Sequence, residues 1–254
     1  RPPVYAGRWK RRVARAESPD LIRWSFPETV VTPDELDPVE MYGMPVFPYE
    51  GIYFGLLQMY YSDTSMTIDT QLTFSRDGIL WDRLPTRETF MERGIEHGQA
   101  REFDRGMLFP LPPVTVGDEL WFYYTGHNVL HNEKSGSNES SVGLAILKRD
   151  RFIARTPVRP NDGVLVTKSF PCEGDELSIN ASASNGQIQV EVLTEAGEVV
   201  EGFGRDECQP FKSDSFSHSV QWKRGALSSI RGTRIRFKFF LNEASLYAFQ
   251  VMER

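Results

Sequence analysis

The sequence has only two cysteines, Cys172 and Cys208, in 254 residues. Neither has a second cysteine at CxxC spacing, so a zinc ribbon or thioredoxin-type redox motif is excluded. Both lie in the C-terminal third, where they can pair in an oxidising compartment or stay as buried thiols. Excess basic charge is also absent: 29 Lys and Arg stand against 35 Asp and Glu, a net charge of −6 with a pI near 5.4. Phosphate binding needs clustered Lys and Arg in excess, so nucleic acid is not an expected partner. The one basic cluster, Arg8 to Arg12, runs into Val13 and Ala14 and reads as the solvated face of a strand. No run of roughly 18 apolar residues occurs, so no membrane-spanning helix is expected. P-loop, dinucleotide and nucleophile-elbow motifs are missing as well, which removes nucleotide-dependent and α/β-hydrolase chemistry.

Long 3.6-period segments are equally scarce, and what is present is aromatic and turn-rich. Seventeen Phe, nine Tyr and five Trp alternate with polar residues between turns spaced eight to twelve positions apart. That pattern predicts an all-β chain, a propeller or a sandwich rather than a parallel sheet with crossover helices. An internal repeat refines it. Ser18-Pro19-Asp20-Leu21-Ile22-Arg23-Trp24 matches Ser75-Arg76-Asp77-Gly78-Ile79-Leu80-Trp81 in register at Ser, Asp, Ile and Trp, with a period of 57 residues from Asp20 to Asp77. Each copy follows a strand (Arg12 to Ala16; Gln71 to Ser75), builds a turn on Ser and Asp, and opens a further strand at the Trp. A weaker third copy spans Leu144 to Phe152 and puts Asp150 and Phe152 in the corresponding turn. Repeats of this kind with a recurring aromatic mark propeller blades, so residues 1–157 are expected to hold blades, too few to close a ring alone.

After Pro160 the repeat stops and short strands follow, so residues 158–254 are expected to form a separate β-sandwich. Asn185-Gly186 predicts a type I′ hairpin between Leu177–Ala181 and Ile188–Val192. Ile235, Phe237 and Phe239 alternate with Arg234, Arg236 and Lys238, the pattern of a half-buried strand.

The Ser-x-Asp-Gly-x-x-Trp unit followed by a sandwich resembles the five-bladed glycoside hydrolases related to families 32 and 43, above all a large bacterial family 32-like group. The tail carries the resemblance through Leu165–Phe170, Gly174-Asp175-Glu176-Leu177, Gly202-Phe203, Asp206-Glu207-Cys208, Val220–Lys223 and Leu246–Phe249. It implies the last blades of a five-bladed propeller plus a C-terminal sandwich, a secreted or periplasmic protein, an oligo- or polysaccharide partner and no cofactor. It also implies that most catalytic carboxylates lie in blades upstream of residue 1. Hydrolysis of glycosidic bonds is the leading expectation, a non-catalytic glycan-binding propeller the alternative, and a purely structural module the third.

Glycoside hydrolysis needs two carboxyl groups delivered into an axial funnel from the starts of inner strands. Two segments occupy such starts: Asp37 to Tyr42, and Arg101 to Arg105 ahead of Met107. Asp104 and Glu102 are therefore the candidate catalytic carboxylates, with a surface salt-bridge cluster on Arg101 and Arg105 as the competing reading. Asp37, Glu40, Tyr42, Arg101, His97 and His127 are candidate sugar contacts, because aromatic rings suit the apolar face of a pyranose while charged and imidazole groups exchange hydrogen bonds with hydroxyls. His127 and His131 have the i, i+4 spacing of helical metal ligands, but the Gly- and Ser-rich stretch that follows argues for a loop, and no metal is expected. Asn138-Glu139-Ser140 matches the glycosylation sequon, which matters only in a secreted eukaryotic protein.

Overall fold

The computed structural model describes residues 11–38, 40–94, 102–133, 139–158 and 163–253. The protein is all-β, and among the described residues its helices are two short 3₁₀ turns, Arg205–Glu207 and Leu227–Ile230. The chain divides into two compact units, 1–146 and 147–254.

The first unit begins with a hairpin-like pair, β1 (Val13–Arg15) and β2 (Glu28–Val31). There follow β3 (Glu40–Gly43), β4 (Val46–Tyr49), β5 (Ile52–Tyr60), β6 (Ile68–Ser75), β7 (Trp81–Arg83) and β8 (Thr89–Met91). After them come β9 (Met107–Pro110), β10 (Val114–Val116), β11 (Glu119–His127) and β12 (Ser140–Lys148). Strands β3 to β8 form an antiparallel meander on the spine β5–β6, and β9 to β12 form a second around β11. A single parallel pairing, Ile68 with Met107, joins the two into one sheet. Strand β5 is buried continuously from Phe54 to Tyr60, which requires cover on both sheet faces and explains why Gln58 is the one polar side chain in that run. On one face Leu57 and Met59 pack with Met41 and Val31.

The two Ser-Asp-Trp turns share one set of hydrogen bonds, to which the first adds Arg23 Nε to Asp20 Oδ2 and the second the Gly78 N–H to Ser75 Oγ, each at 2.8 Å. Ser18 Oγ and Ser75 Oγ donate to Oδ1 of Asp20 and Asp77. Each Oδ1 then accepts the backbone N–H groups two and three residues on, at 2.8–3.0 Å. Each Trp indole N–H donates back three residues, Trp24 to Leu21 O at 3.3 Å and Trp81 to Gly78 O at 3.2 Å. These bonds hold Asp20 at a pKa of about 2, with the Arg23 backbone N–H the largest contributor. The copies part after the Trp: Trp81 opens β7, whereas Trp24 leads into extended chain that first pairs at Glu28. Asp150 marks a different turn, since it takes the positive φ itself (63°), where the full copies place the residue after Asp there.

That residue is Gly78 in one copy and Leu21 in the other, at φ 71° and 60°. A left-handed backbone strains a residue carrying Cβ by about 1–2 kcal/mol, partly offset in glycine by its greater unfolded-state entropy. Leu21 is 78% exposed and contributes little burial. Leu21→Gly is thus expected to stabilise the first unit by a few tenths to about 1 kcal/mol, read as a raised urea midpoint with unchanged slope.

The second unit contains β13 (Gly163–Val166), β14 (Phe170–Pro171), β15 (Glu176–Ser182), β16 (Gln187–Thr194), β17 (Asp214–Val220), β18 (Arg234–Asn242) and β19 (Ser245–Met252). β18 pairs with β13, β14 and β16, while β15 pairs with β17 and β19. Ile235, Phe237, Phe239 and Leu241 of β18 are buried as their alternation predicts, sharing one core with Ile188, Val190 and Val192 of β16 and Leu177, Ile179 and Ala181 of β15. Each such apolar side chain stabilises by about 1.5–3 kcal/mol on burial.

The Asn185-Gly186 hairpin does not form. β15 and β16 join different sheets, and neither turn residue has positive φ. Glycine is needed at 186 because a Cβ there would strike the backbone carbonyl of Asn242. The cysteines are buried free thiols, and burial pushes both thiol pKa values up.

Candidate functional site

The first unit gathers its chemistry at the start of β3, the end of β5, the start of β9 and the segment after β11. A β-bulge at Met41–Gly43 opposite Gln58 breaks the regular pairing of β3 with β5. A bulge re-aims side chains, and here Met41 enters the core while Tyr42 stays 37% exposed. A Cβ on Gly43 would stand 2.8 Å from Gln58 Oε1, so the end of the Gln58 side chain packs into the space that this glycine leaves.

Around Tyr42 stand Tyr60 at 6.0 Å between ring centroids, Phe109 at 5.5 Å and His131 at 5.2 Å. His131 Nε2 and Tyr42 Oη are 3.2 Å apart, and the His131 main-chain N–H donates to Met66 O at 2.8 Å, which anchors the backbone that carries the ring. His127 closes the group edge-on to Phe109 at 5.7 Å. The Arg11 guanidinium lies over Tyr42 at 4.7 Å and over Tyr60 at 5.6 Å, and meets Glu40 at 3.4 Å. Burial, then Arg11, pushes the His131 pKa down, so the ring is neutral at pH 7 and serves as both donor and acceptor. Burial, then Glu40, pushes the Tyr60 phenol up. Aromatic faces, a cation, a carboxylate and a neutral imidazole are therefore side by side, a combination suited to a ring that is apolar on its faces and hydroxylated at its rim.

A second constellation centres on Asp104, which is only 7% exposed. Its Oδ2 accepts the Tyr124 hydroxyl at 2.8 Å, and its Oδ1 has no hydrogen-bond partner among the described residues. Burial and that hydrogen bond push the Tyr124 pKa to about 12, so the phenol remains a donor. A Cβ on Gly94 would strike Asp104 Oδ1 and stand 2.7 Å from Glu102 Oε2, so both carboxylates crowd the same side of that glycine. Gly126 leaves room for Asp104 Cβ and the Phe103 ring, and Gly143 for the Tyr124 ring. Phe103 and Tyr124 stack at 6.0 Å.

The third group is closed. Asp37 has a fully buried side chain gripped by both Arg83 Nη atoms at 2.6 Å, and Arg83 also donates to Gln71 Oε1 at 2.6 Å. Nearby on β6, Asp69 accepts from Tyr61 Oη at 3.4 Å. Burial lifts the Asp69 pKa to about 6, against the pull of Arg93 and Tyr61. Among the described residues no three His, Cys, Asp or Glu side chains are grouped to hold a metal.

No family profile matches the chain, and no curated protein matches it. A solved structure described as a glycoside hydrolase aligns over 90% of this chain at 9% identity and a TM-score of 0.29. The chain spans 62% of that structure's length. So loose a superposition carries no argument about fold or activity.

Of the residues singled out in the sequence, Glu40, Tyr42 and His127 lie in the aromatic group, and Glu102 and Asp104 in the carboxylate pair. Asp37 joins neither, because Arg83 already occupies both its oxygens. His97 and Arg101 lie outside the described residues, as does Asn138 of the sequon. Sequence reasoning missed Arg11, Tyr60, Phe109, His131 and Tyr124. His131 had a signal in its spacing from His127, though as an aromatic partner of Tyr42 rather than a ligand; Arg11 had none, being 29 residues from Glu40.

Proposed function

We propose that the chain is the carbohydrate-recognising part of a glycan-active β-propeller, with blades over 1–157 and a β-sandwich over 158–254, and that it binds an oligo- or polysaccharide at the Tyr42 group. The observation that carries this reading is the half-exposed Tyr42 ring, braced by Tyr60, Phe109 and His131, with Arg11 and Glu40 at its edge. A braced aromatic offers contact area at little entropic cost, and the polar groups beside it match sugar hydroxyls in both hydrogen-bonding senses. The two antiparallel meanders and the repeated Ser-Asp-Trp turn support the blade reading. The two sheets over one core support the sandwich.

Titration of the protein with a panel of soluble oligosaccharides by calorimetry tests it. Tyr42→Ala is expected to weaken binding by at least about tenfold, or 1.4 kcal/mol, with unfolding unchanged. Undiminished affinity in that variant would sink the reading.

Hydrolysis is the second reading, favoured by an exposed Glu102 and a buried Asp104 beside the same glycine, two carboxyl groups in the unlike environments that separate acid and base roles. Released reducing sugar that is lost in Asp104→Asn supports it; binding without release leaves a glycan-binding propeller.

A further inference from the structure

A second concave site lies in the first unit, between the β1–β2 pair and the face of β5–β6–β7 that looks toward it. Deeper along this face the space is filled by Val31, Met41, Leu57 and Met59. Farther out the facing residues of the first strand segment are the small Ala14 and Ala16, and a cavity of about 380 Å³ remains. That volume lies within the range of about 300–1,000 Å³ typical of small-molecule sites. Its walls include the rings of Trp81 and Tyr53, the latter 40% exposed.

The polar groups at this cavity are held in advance. Asp77 accepts three hydrogen bonds, all on Oδ1, and its Oδ2 has none among the described residues. Trp81 is locked by its indole bond to Gly78 O. Arg15 reaches across to the same turn, with Nε 3.7 Å from the point where a Cβ on Gly78 would stand. Arg15 is itself ion-paired with Glu17 through Nη2, so with Asp77 the group carries one carboxylate in excess, which disfavours an acidic ligand. The two aromatic faces fit a neutral one with apolar ring faces and hydroxyls at its rim.

We infer that this cleft is a second saccharide site, taking a neutral sugar unit against Trp81 and Tyr53 with hydroxyls bonded to Arg15 and Asp77. It shares its ligand class with the proposed function but none of its residues. A propeller chain with two such sites grips a polysaccharide at two points, and linked sites raise avidity well beyond either affinity.

Calorimetric titration of the protein with neutral oligosaccharides, such as those of glucose and xylose, tests the inference. Two binding events are expected. Tyr53→Ala should weaken one of them about tenfold, and Ala16→Phe, which fills the cleft, should abolish the same one; in a Tyr42→Ala background that event should remain and respond to both substitutions in the same way. Hydrogen exchange of β5 and β6 checks that each variant is folded. The inference is overturned if Tyr53→Ala and Ala16→Phe, both folded, leave every binding event unchanged, or if binding saturates at one ligand per chain and disappears with Tyr42→Ala. Binding that depends on Tyr53 but not on Tyr42 upholds the cleft and overturns the Tyr42 site instead.

Discussion

Replacing Asp37 with alanine is expected to destabilise the first unit by about 3–5 kcal/mol, the cost of stranding a buried charge. The Asp37 side chain is fully buried and that of Arg83 is 7% exposed. Their bidentate pair, with Gln71 as a third partner, occupies both Nη atoms of a guanidinium that is almost fully buried, while its Nε has no hydrogen-bond partner among the described residues. Removing the carboxylate leaves Arg83 as an unpaired charge in that place, because a guanidinium stays charged inside proteins. A double variant, Asp37→Leu with Arg83→Met, should recover most of the loss, since an apolar pair of similar size has no charges to desolvate. Urea unfolding of the three variants measures this, and hydrogen exchange in β5 and β6 assigns the change to the first unit. A loss under about 1 kcal/mol for Asp37→Ala would show that the pair is solvated like a surface salt bridge.

Asp69 is expected to make the same unit less stable as the pH rises. Its folded pKa is about 6 against an ordinary value of 3.8, so the native state holds the proton more tightly than the unfolded chain. Its favourable contribution is complete below pH 4 and is lost as the pH climbs through 6, which sums to at most about 3 kcal/mol. Asp69→Asn keeps the shape and cannot ionise. The variant should therefore unfold at higher urea than the parent at pH 8, and its stability should vary less between pH 4 and 6. Parallel pH profiles for parent and variant would mean that Asp69 is solvated in the folded protein. Arg93→Ala is a useful companion: Arg93 partly offsets the burial of the carboxylate, so its removal should push the transition to higher pH.

Local chemistry was legible in the sequence as far as the turns built on Ser and Asp, though only Trp81 opens a strand. The Ser-Asp-Trp turn forms in both copies, with Ser, Asp and Trp at the first, third and seventh positions, because every donor and acceptor it uses lies within one heptapeptide. Alternation in β18 likewise declared its buried face, since side chains in a strand point to opposite sides with period two. Asn185-Gly186 shows where local reading fails. The dipeptide favours a two-residue hairpin, but Ile188, Val190 and Val192 pair with β18 instead, where Phe237 and Phe239 lie in the shared core. The glycine answers a close approach to Asn242, 56 residues on, which no turn rule contains.

The candidate site divides the same way. Glu40, Tyr42, Glu102 and Asp104 could be named because they sit at strand starts, and strand starts are visible in the chain. That Asp37 is consumed by Arg83, 46 residues away, was decided only by packing. So was the meeting of Tyr42 with His131 across 89 residues, and of Asp104 with Tyr124 across 20. The sequence by itself determined the all-β character, the repeated turns and the apolar faces, for these depend on neighbours within a few residues. Which carboxylates are spent, which aromatic rings meet, and where the core leaves a cleft beside Trp81 depend on contacts between distant strands, so only the tertiary structure could decide them.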